Sequence, residues 1–467
     1  MYGVKLIHET QHFVFLFVSA MALISSCRSF PRTGYPILPG HPFMFTWNAP
    51  TELCNIHFGM PLDLPYFSFV SSTLKTVTNQ SISIFYIDRF DIFPYMDEDT
   101  GEMHDEGFPQ MIDMQDHHDD AADDIKHYIP TDGPDLAVLD FKEWRPQWIR
   151  NWGSKDIYRE VSIEKVKKKK TSLSEDEAEE RAKIVFERAA KRYFVQSIQI
   201  GKKLRPKRLW GYYLYPDCYD CNQDMVGFTG ECPDIEKQRN DKSFLVLKDS
   251  WKARLFVRHH IQEAMRVSTL PQSTYSIPIY AYIRPVYKDS VDDYVSEFDL
   301  VNTIGEAAAL GAAGVISWGG MNVTDTKDSC FDAQHHLEQV MNRYIVNVST
   351  ATHLCSDALC QGQGRCIRKH WDDDGFLHLH SCRYQIKQQH RGGPLIVSGG
   401  LSQDDINLFD KNFDCMCYTE KPCRSVITLN VIPDAVINTS ADRTHSIRLY
   451  LCALLLALAL ALICCGT

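Results

Sequence analysis

The stretch that most restricts how this chain can fold runs from Pro134 to Trp152: Pro-Asp-Leu-Ala-Val-Leu-Asp-Phe-Lys-Glu-Trp-Arg-Pro-Gln-Trp-Ile-Arg-Asn-Trp. Gly133 and Pro134 punctuate its start, and Leu136, Ala137, Val138 and Leu139 form a continuous apolar run ending on Asp140. A run this short, bounded by turn residues and without polar alternation, suits a strand buried on both faces, as in a parallel sheet. In an α/β barrel, acidic residues at the C-terminal ends of such strands are where catalysis sits. Asp140, Lys142 and Glu143 lie at that end, and Trp144, Trp148 and Trp152 follow with flat apolar faces of the kind sugar rings stack on. A carboxylate cluster beside tryptophans suggests glycoside chemistry. The plainer alternative is an acidic strand end that only starts a loop.

Other segments alternate in the same way. Ile82 to Ile87 is β-branched and aromatic, ends in Asp88-Arg89, and reads as an early strand. Trp210 to Tyr215, Ile277 to Ile283 and Gly314 to Trp318 alternate with helical patterns such as Thr303 to Leu310, which implies a parallel α/β architecture. Ser174-Glu-Asp-Glu177 is a capping box. Behind it Ala178, Ala182, Val185, Phe186, Ala189, Ala190 and Tyr193 recur at helical spacing, describing a crossover helix. The charge run Glu164 to Lys170 reads as the solvated approach to that helix. Residues 97–124 are acidic and include Asp116-His117-His118-Asp119-Asp120. Packed acids with histidines on a loop describe a solvated surface, and no second ligand group at metal spacing accompanies them. Neither a metal nor a cofactor is expected.

Both ends of the chain look like targeting signals. Lys5 precedes the apolar segments Phe13 to Val18 and Met21 to Ile24, and the small residues Ser25 and Ser26 follow, so 1–26 reads as a secretory signal peptide. At the other end Leu449 to Cys465 is almost wholly apolar, after a polar stretch from Ala441 to Arg448 and small residues at Ser440 and Ala441. Small site, polar spacer and terminal apolar tail make a glycosylphosphatidylinositol anchor signal. The alternative is a single spanning helix, for which the tail is short and lacks basic residues after it. Sequons at Asn79, Asn322, Asn347 and Asn438 fit a glycosylating, oxidising compartment. Of the 16 cysteines, Cys27, Cys452, Cys464 and Cys465 fall at these ends; spacing alone does not fix how the others pair. A net charge of −11 argues against a nucleic-acid partner and gives no global attraction to a polyanion. The apolar share of 44% describes an ordinary globular chain, long enough for two to three domains.

Three motifs occur in an order that resembles the animal and venom hyaluronidases. The Asp140 stretch is similar to that family's Asp-Trp-Glu-x-Trp-Arg-Pro strand. Leu209-Trp-Gly-Tyr-Tyr-Leu-Tyr-Pro-Asp-Cys-Tyr219 and Gly311-Ala-Ala-Gly-Val-Ile-Ser-Trp318 have their counterparts too. The likeness runs from about Phe43 to Cys423. It implies a distorted TIM-like (β/α) barrel over 35–350, an epidermal-growth-factor-like disulfide module over 351–425, and a linker with anchor signal over 426–467. The implied activity is endo-β-N-acetylhexosaminidase cleavage of β-1,4 links in hyaluronan or a chondroitin-type glycosaminoglycan, with the substrate's acetamido oxygen as nucleophile, a departure from the usual carboxylate pair. Asp140 would orient that acetamido group with Tyr213 as a hydrogen-bond partner. Trp318 and Tyr282 would line the sugar floor, Asp217 would support the site, and His260 falls where the family has a substrate-side Arg. The implied disulfides are 54–330, 218–232, 355–366, 360–415 and 417–423. Cys221 and Cys382 are left over, as one extra bridge or two free thiols.

Two departures from the family pattern bear on turnover. The family's general-acid Glu falls on Lys142, and residues i and i+2 of a strand share a face, so an ammonium projects where the acid belongs. Glu143 is adjacent, but a regular strand turns it to the other face. After Asn240-Asp241 about fifteen residues of the family pattern, with one barrel strand, have no counterpart before Leu255-Phe-Val257, and a barrel short of a strand either opens or draws another segment into the gap. The expectations are therefore an anchored cell-surface hyaluronidase or, alternatively, a catalytically impaired homologue that binds glycosaminoglycan.

Overall fold

Seven short apolar segments pair in parallel: β1 (Met44–Asn48), β2 (Phe69–Ser71), β3 (Ile82–Phe85), β4 (Leu136–Leu139), β5 (Leu209–Tyr212), β6 (Tyr280–Ile283) and β7 (Gly314–Trp318). This computed structural model describes residues 32–214, 250–424 and 437–438, apart from 91, 271–274, 288–289, 291 and 391–392. The strands form a four-stranded sheet in the order β2-β1-β7-β6 and a three-stranded sheet in the order β3-β4-β5. Helices between them are α1 (Glu52–Phe58), α2 (Met114–Tyr128), α3 (Asp156–Lys169), α4 (Glu175–Leu204) and α5 (Ser250–Ser268). A continuous helical run, α6, follows as Glu297–Leu300, a π segment Val301–Gly305 and Glu306–Ala309. Helices α7 (Lys327–His336) and α8 (Asn342–Cys360) complete the set, joined by a second π segment, Leu337–Met341.

Period-two alternation sorts the strand side chains. Met44, Ile82, Ile84, Leu136, Val138 and Ile316 turn into a shared interior with Tyr280 and Tyr282. Phe85, Ala137 and Leu139 turn outward onto α2, α3 and α4. Phe45, Trp47, Ala281 and Val315 turn onto α5, α6 and α8. This is a TIM-barrel-type α/β arrangement. Helix α4 starts at the capping box read from sequence, with Ser174 Oγ accepting from Glu177 N and Glu177 Oε2 from Ser174 N. It lies close on β5: a Cβ at Gly201 would stand 2.5 Å from the Trp210 ring, so only glycine fits.

The two sheets meet differently at their two junctions. Between β2 and β3, Ile82 N donates to Ser71 Oγ at 2.9 Å and Gln80 Nε2 to the Ser72 carbonyl at 2.9 Å. Between β5 and β6 lies a cavity of about 1100 Å³ with mostly apolar walls.

Helix α8 carries the chain out of the barrel into a cysteine-rich unit. There β8 (Gly364–Arg368) pairs antiparallel with β11 (Phe413–Cys417), β9 (Gln385–Gln388) pairs with β10 (Leu395–Ser398), and α9 (Gln403–Asn412) precedes β11. Ile437–Asn438 (β12) adds to β10. Disulfides join Cys355–Cys366, Cys360–Cys415 and Cys417–Cys423, while Cys54–Cys330 links α1 to α7. Cys382 is a free, exposed thiol. A buried ion network ties this unit to the barrel: Arg368 donates to both Glu306 oxygens at 2.8 and 2.9 Å, and Arg258 Nε to Oε1 at 2.5 Å.

Several sequence expectations need correction. The acidic stretch is no loop throughout: Met114–Tyr128 is a helix capped by Asp113, and buried His117 bonds Ser197 Oγ at 2.9 Å. The lysine run belongs to helix α3. Val185 faces solvent, not the core. The strands expected at 82–87, 210–215 and 277–283 are shorter. The signal and anchor segments, Asp217, Cys218, Cys221 and Cys232 lie outside the described residues. Among the described residues no helix is long and apolar enough to cross a membrane.

Candidate active site

Strand register places the candidate groups side by side. Phe85 pairs with Leu139, and Leu139 with Tyr212. One step further, Asp140 N donates to Phe85 O and Tyr213 N to Leu139 O, both at 2.9 Å. Tyr86, Asp140 and Tyr213 thus form a row across the C-terminal end of the three-stranded sheet, continuing its inward-facing alternation. From the facing sheet come Tyr282 of β6 and Trp318 of β7. Asp140, Lys142, Tyr213, Tyr282 and Trp318 line one small cleft of about 30 Å³, floored by Ile84 and Val138.

Among the described residues the cleft holds one buried carboxylate. Asp140 is 7% exposed, and burial pushes its carboxyl up to about 6 although the Lys142 ammonium pulls the other way. Lys142 Nζ lies 3.3 Å from Asp140 Oδ2 and 5.7 Å from the centre of the Tyr213 ring. Asp140 Oδ1 is buried and has no hydrogen-bond partner among the described residues. The neighbouring acid does not help: Glu143 Oε2 accepts from the backbone N–H of Lys142 at 3.0 Å, so this carboxylate turns back on its own loop. Tyr213 and Tyr282 meet edge to face, ring centres 4.8 Å apart. The Tyr282 hydroxyl is buried without a described partner, and burial raises its phenol well above the ordinary range. An aromatic-walled cleft with one carboxylate and one ammonium suits a neutral amide beside an anionic group.

Three tryptophans do not act as the sequence suggests. Trp144 is fully buried, stacks on Phe93 at 5.2 Å and donates its indole N–H to Pro94 O at 2.7 Å. Trp148 packs in the same aromatic core, and Trp152 does not line the cleft. His260 also sits elsewhere. It is on α5, in the wall of the 1100 Å³ cavity, with Nδ1 2.8 Å from Phe256 O and its proton affinity lowered to about 4 by burial. Sequence reasoning missed Tyr86, whose hydroxyl accepts from Trp318 and whose phenol burial raises. Its signal was positional, since it follows β3 as Asp140 follows β4. The one cluster with metal-like spacing among the described residues, Cys360, Cys415 and Cys423, is committed to disulfides. Of the sequons, Asn79 is exposed, Asn322 lies on the turn after Trp318, and Asn438 is in β12. Asn347 sits mid-α8 with Oδ1 accepting from Leu379 N at 2.8 Å.

Comparison with known proteins gives a single family. The hyaluronidase family profile matches residues 32–426. Human hyaluronidase PH-20 (Homo sapiens) is 40% identical over 422 residues, covering 87% of this chain and 83% of that protein. Mouse hyaluronidase-5 (Mus musculus) is 41% identical over 423 residues, covering 87% and 80%. Hyaluronidase-2 of Bitis arietans is 38% identical over 404 residues, covering 82% and 90%. The crystal structure of bee venom hyaluronidase in complex with a hyaluronic acid tetramer superposes with a TM-score of 0.56 at 25% identity, covering 65% of this chain and 98% of that one.

Proposed function

The chain belongs to the hyaluronidase family, and on that premise we propose that its cleft takes hyaluronan and that its chemistry is endo-β-N-acetylhexosaminidase hydrolysis of β-1,4 links, slowed by Lys142. The observation that carries this reading is the buried Asp140 carboxylate with an unpartnered oxygen, the one buried carboxylate lining the cleft among the described residues. A retaining glycosidase of the common kind needs a second carboxyl about 5 Å away, and an inverting one needs it farther off. With one such carboxylate among the described residues, this reading takes the substrate's own acetamido oxygen as the nucleophile. Asp140 Oδ1 then accepts the acetamido N–H and supports the positive charge that grows on it. Tyr213 hydrogen-bonds the same group, and Trp318 with Tyr282 floors the sugar ring. Proton delivery to the leaving oxygen is the weak step, because an ammonium serves poorly both as that acid and as the later base.

A second reading, binding without turnover, is favoured by the 3.3 Å Lys142–Asp140 ion pair, which occupies the carboxylate and offers a cation to a uronate. The test is paired. Hyaluronan oligosaccharide affinity is measured by calorimetry and cleavage by reducing-end release. Measurable binding with slow cleavage that Asp140→Asn abolishes supports the enzyme; binding with none supports the second reading. Fast cleavage insensitive to Asp140→Asn rejects the site altogether.

The surroundings fit a cell-surface glycoprotein. A cleaved leader at 1–26, a lipid anchor from the apolar tail and glycans at Asn79, Asn322, Asn347 and Asn438 are proposed on the sequence signals. A glycan on Asn347 would attach to its Nδ2, beside the Oδ1 that accepts from the Leu379 amide. Helix-borne Cys355 and Cys360, bridged into the β8–β11 ribbon, support an epidermal-growth-factor-like module over 351–425, docked on a barrel over 35–350.

A further inference from the structure

We propose that the hollow between residues 35–42 and the end of α8 is a second binding site, and that it takes a neutral saccharide. The inference goes beyond the function proposed above and does not depend on it. The hollow lies at the opposite end of the barrel from the cleft, where the chain leads into β1 and α8 leaves for the cysteine-rich unit.

The hollow is built and stiff. Its volume is about 410 Å³, inside the range of about 300–1,000 Å³ usual for small-ligand sites. One wall is residues 35–42, whose backbone Pro36, Pro39 and Pro42 restrict. That wall is pinned just before it starts, where Thr33 N donates to Cys417 O at 2.9 Å and Thr33 Oγ1 to Ser276 O at 3.2 Å. The other wall joins the end of α8 to the turn at Gln363 and to Tyr418, and Tyr418 N donates to Gln363 O at 2.9 Å. The disulfides 355–366, 360–415 and 417–423 hold that wall together. Walls fixed in this way lose little freedom when a ligand arrives.

The lining decides the ligand. Tyr35 and Tyr418 stand with ring centres 5.5 Å apart, Tyr418 buried and Tyr35 61% exposed. Among the described residues no lysine or arginine lines the hollow, so a uronate, sulfate or phosphate meets no such cation there. A cationic ligand meets no unbalanced charge either. His353 Nε2 lies 3.2 Å from Asp357 Oδ2, and His353 Nδ1 lies 3.2 Å from Gly40 O. Space remains beside Asp357 Oδ1, because a Cβ at Gly362 (φ +66°) would stand 3.3 Å from it and glycine has none. That oxygen can accept hydroxyl protons, and the Gln363 amide both donates and accepts. An uncharged ligand with apolar faces and many hydroxyls matches this set. A pyranose lays its C–H face on a tyrosine ring and turns its hydroxyls to the polar side. Proline-rich peptides also dock in aromatic-lined grooves, but their tertiary amides carry no N–H for Asp357.

Saturation-transfer NMR on the full-length protein tests this, with N-acetyllactosamine, mannobiose and chitobiose as probes. At least one of them should receive saturation and keep it when excess hyaluronan tetrasaccharide is added. Tyr35→Ala should weaken that binding at least about tenfold. Asp357→Ala should abolish it, and both variants should keep the parent's hyaluronan affinity and thermal midpoint. Should Asp357→Ala not fold, Tyr35→Ala decides alone, since that ring stands in solvent. Enzymatic removal of N-glycans separates the two sources of saccharide. Tighter binding afterwards assigns the site to a glycan of this chain, and unchanged binding assigns it to another molecule. Silence from all the probes overturns the proposal. So does displacement by the hyaluronan tetrasaccharide, which would place the probe in the cleft, and so does binding indifferent to Tyr35→Ala. Saturation of decaproline with the saccharides silent would make the hollow a peptide groove instead and overturns it as well.

Discussion

The two sheets of the barrel reach comparable burial by unlike means. The four-stranded sheet is braced by bonds and charges: Cys54–Cys330 links the helices after β1 and β7, and Glu306 on α6 grips Arg258 and Arg368. The three-stranded sheet has no disulfide among the described residues. It rests on packed rings, with Phe85, Phe93, Phe141, Trp144, Tyr193 and Phe194 on its outer face. Asp140 stands on the ring-packed sheet, while Tyr282 and Trp318, which line the same cleft, come from the braced one. On the proposed function, the chemistry and the sugar floor would rest on separately stabilised supports.

The largest expected effect tests that division at the cleft. Lys142→Glu should raise hyaluronan turnover by ~10²–10⁴ in a reducing-end assay, the usual worth of general acid catalysis. Trp318→Ala on the other sheet should act mainly on KM. A Lys142→Glu variant no faster than the parent would mean that proton transfer is not what limits this chain. Next come the supports. Trp144→Ala should lower stability by ~3–5 kcal/mol in denaturant unfolding. Glu306→Gln should cost a similar ~3–5 kcal/mol by leaving two buried guanidinium groups undercompensated. The joint Cys54→Ser and Cys330→Ser exchange should cost ~2–5 kcal/mol, with amide exchange accelerated in β1 and β7 and unchanged in β3 and β4. Equal acceleration in both sheets would show them to be one cooperative unit.

A smaller effect follows from the Asp140 carboxyl, whose value in the fold, about 6, is raised from 3.8. The folded state binds this proton more tightly than the unfolded one. Its contribution to stability is therefore complete below about 3.8 and is lost as pH rises through about 6. Asp140→Asn should flatten that part of the stability profile. Lys142→Met removes the opposing cation and should move the titration upward, read from the carboxyl carbon shift. Smallest of all, Ser71→Ala at the joined β2–β3 junction should cost about 1 kcal/mol.

What the sequence disclosed was whatever period and register control. The apolar run 136–139 fixes a buried parallel strand, and its alternation puts Asp140 and Lys142 on the inward face, where the structure has them. The capping box at Ser174 is equally local, four residues that satisfy each other. Contacts between distant segments were hidden. Trp144 looks available for a sugar until Pro94, fifty residues earlier, supplies the carbonyl its indole needs. His117 looks like a solvated loop residue until α4 brings Ser197 to it. Tyr86 was passed over because a tyrosine at a strand end is common, and only the register of β3 against β4 marks it out. His260 was assigned by alignment to a pattern with an extra strand, and its helix presents it to the gap instead.

Glu306 also sets an order of events during synthesis. Its carboxylate belongs to the barrel, yet one of its two arginines, Arg368, is translated after every barrel strand. A nascent barrel that has emerged only as far as β7 holds an anion whose second counter-charge is still in the ribosome. Domains often finish folding as they emerge; here Arg258 alone is available to Glu306 until the C-terminal unit follows. Chains truncated before position 368 should accordingly be less stable in denaturant unfolding than the full chain, whatever the integrity of their cleft.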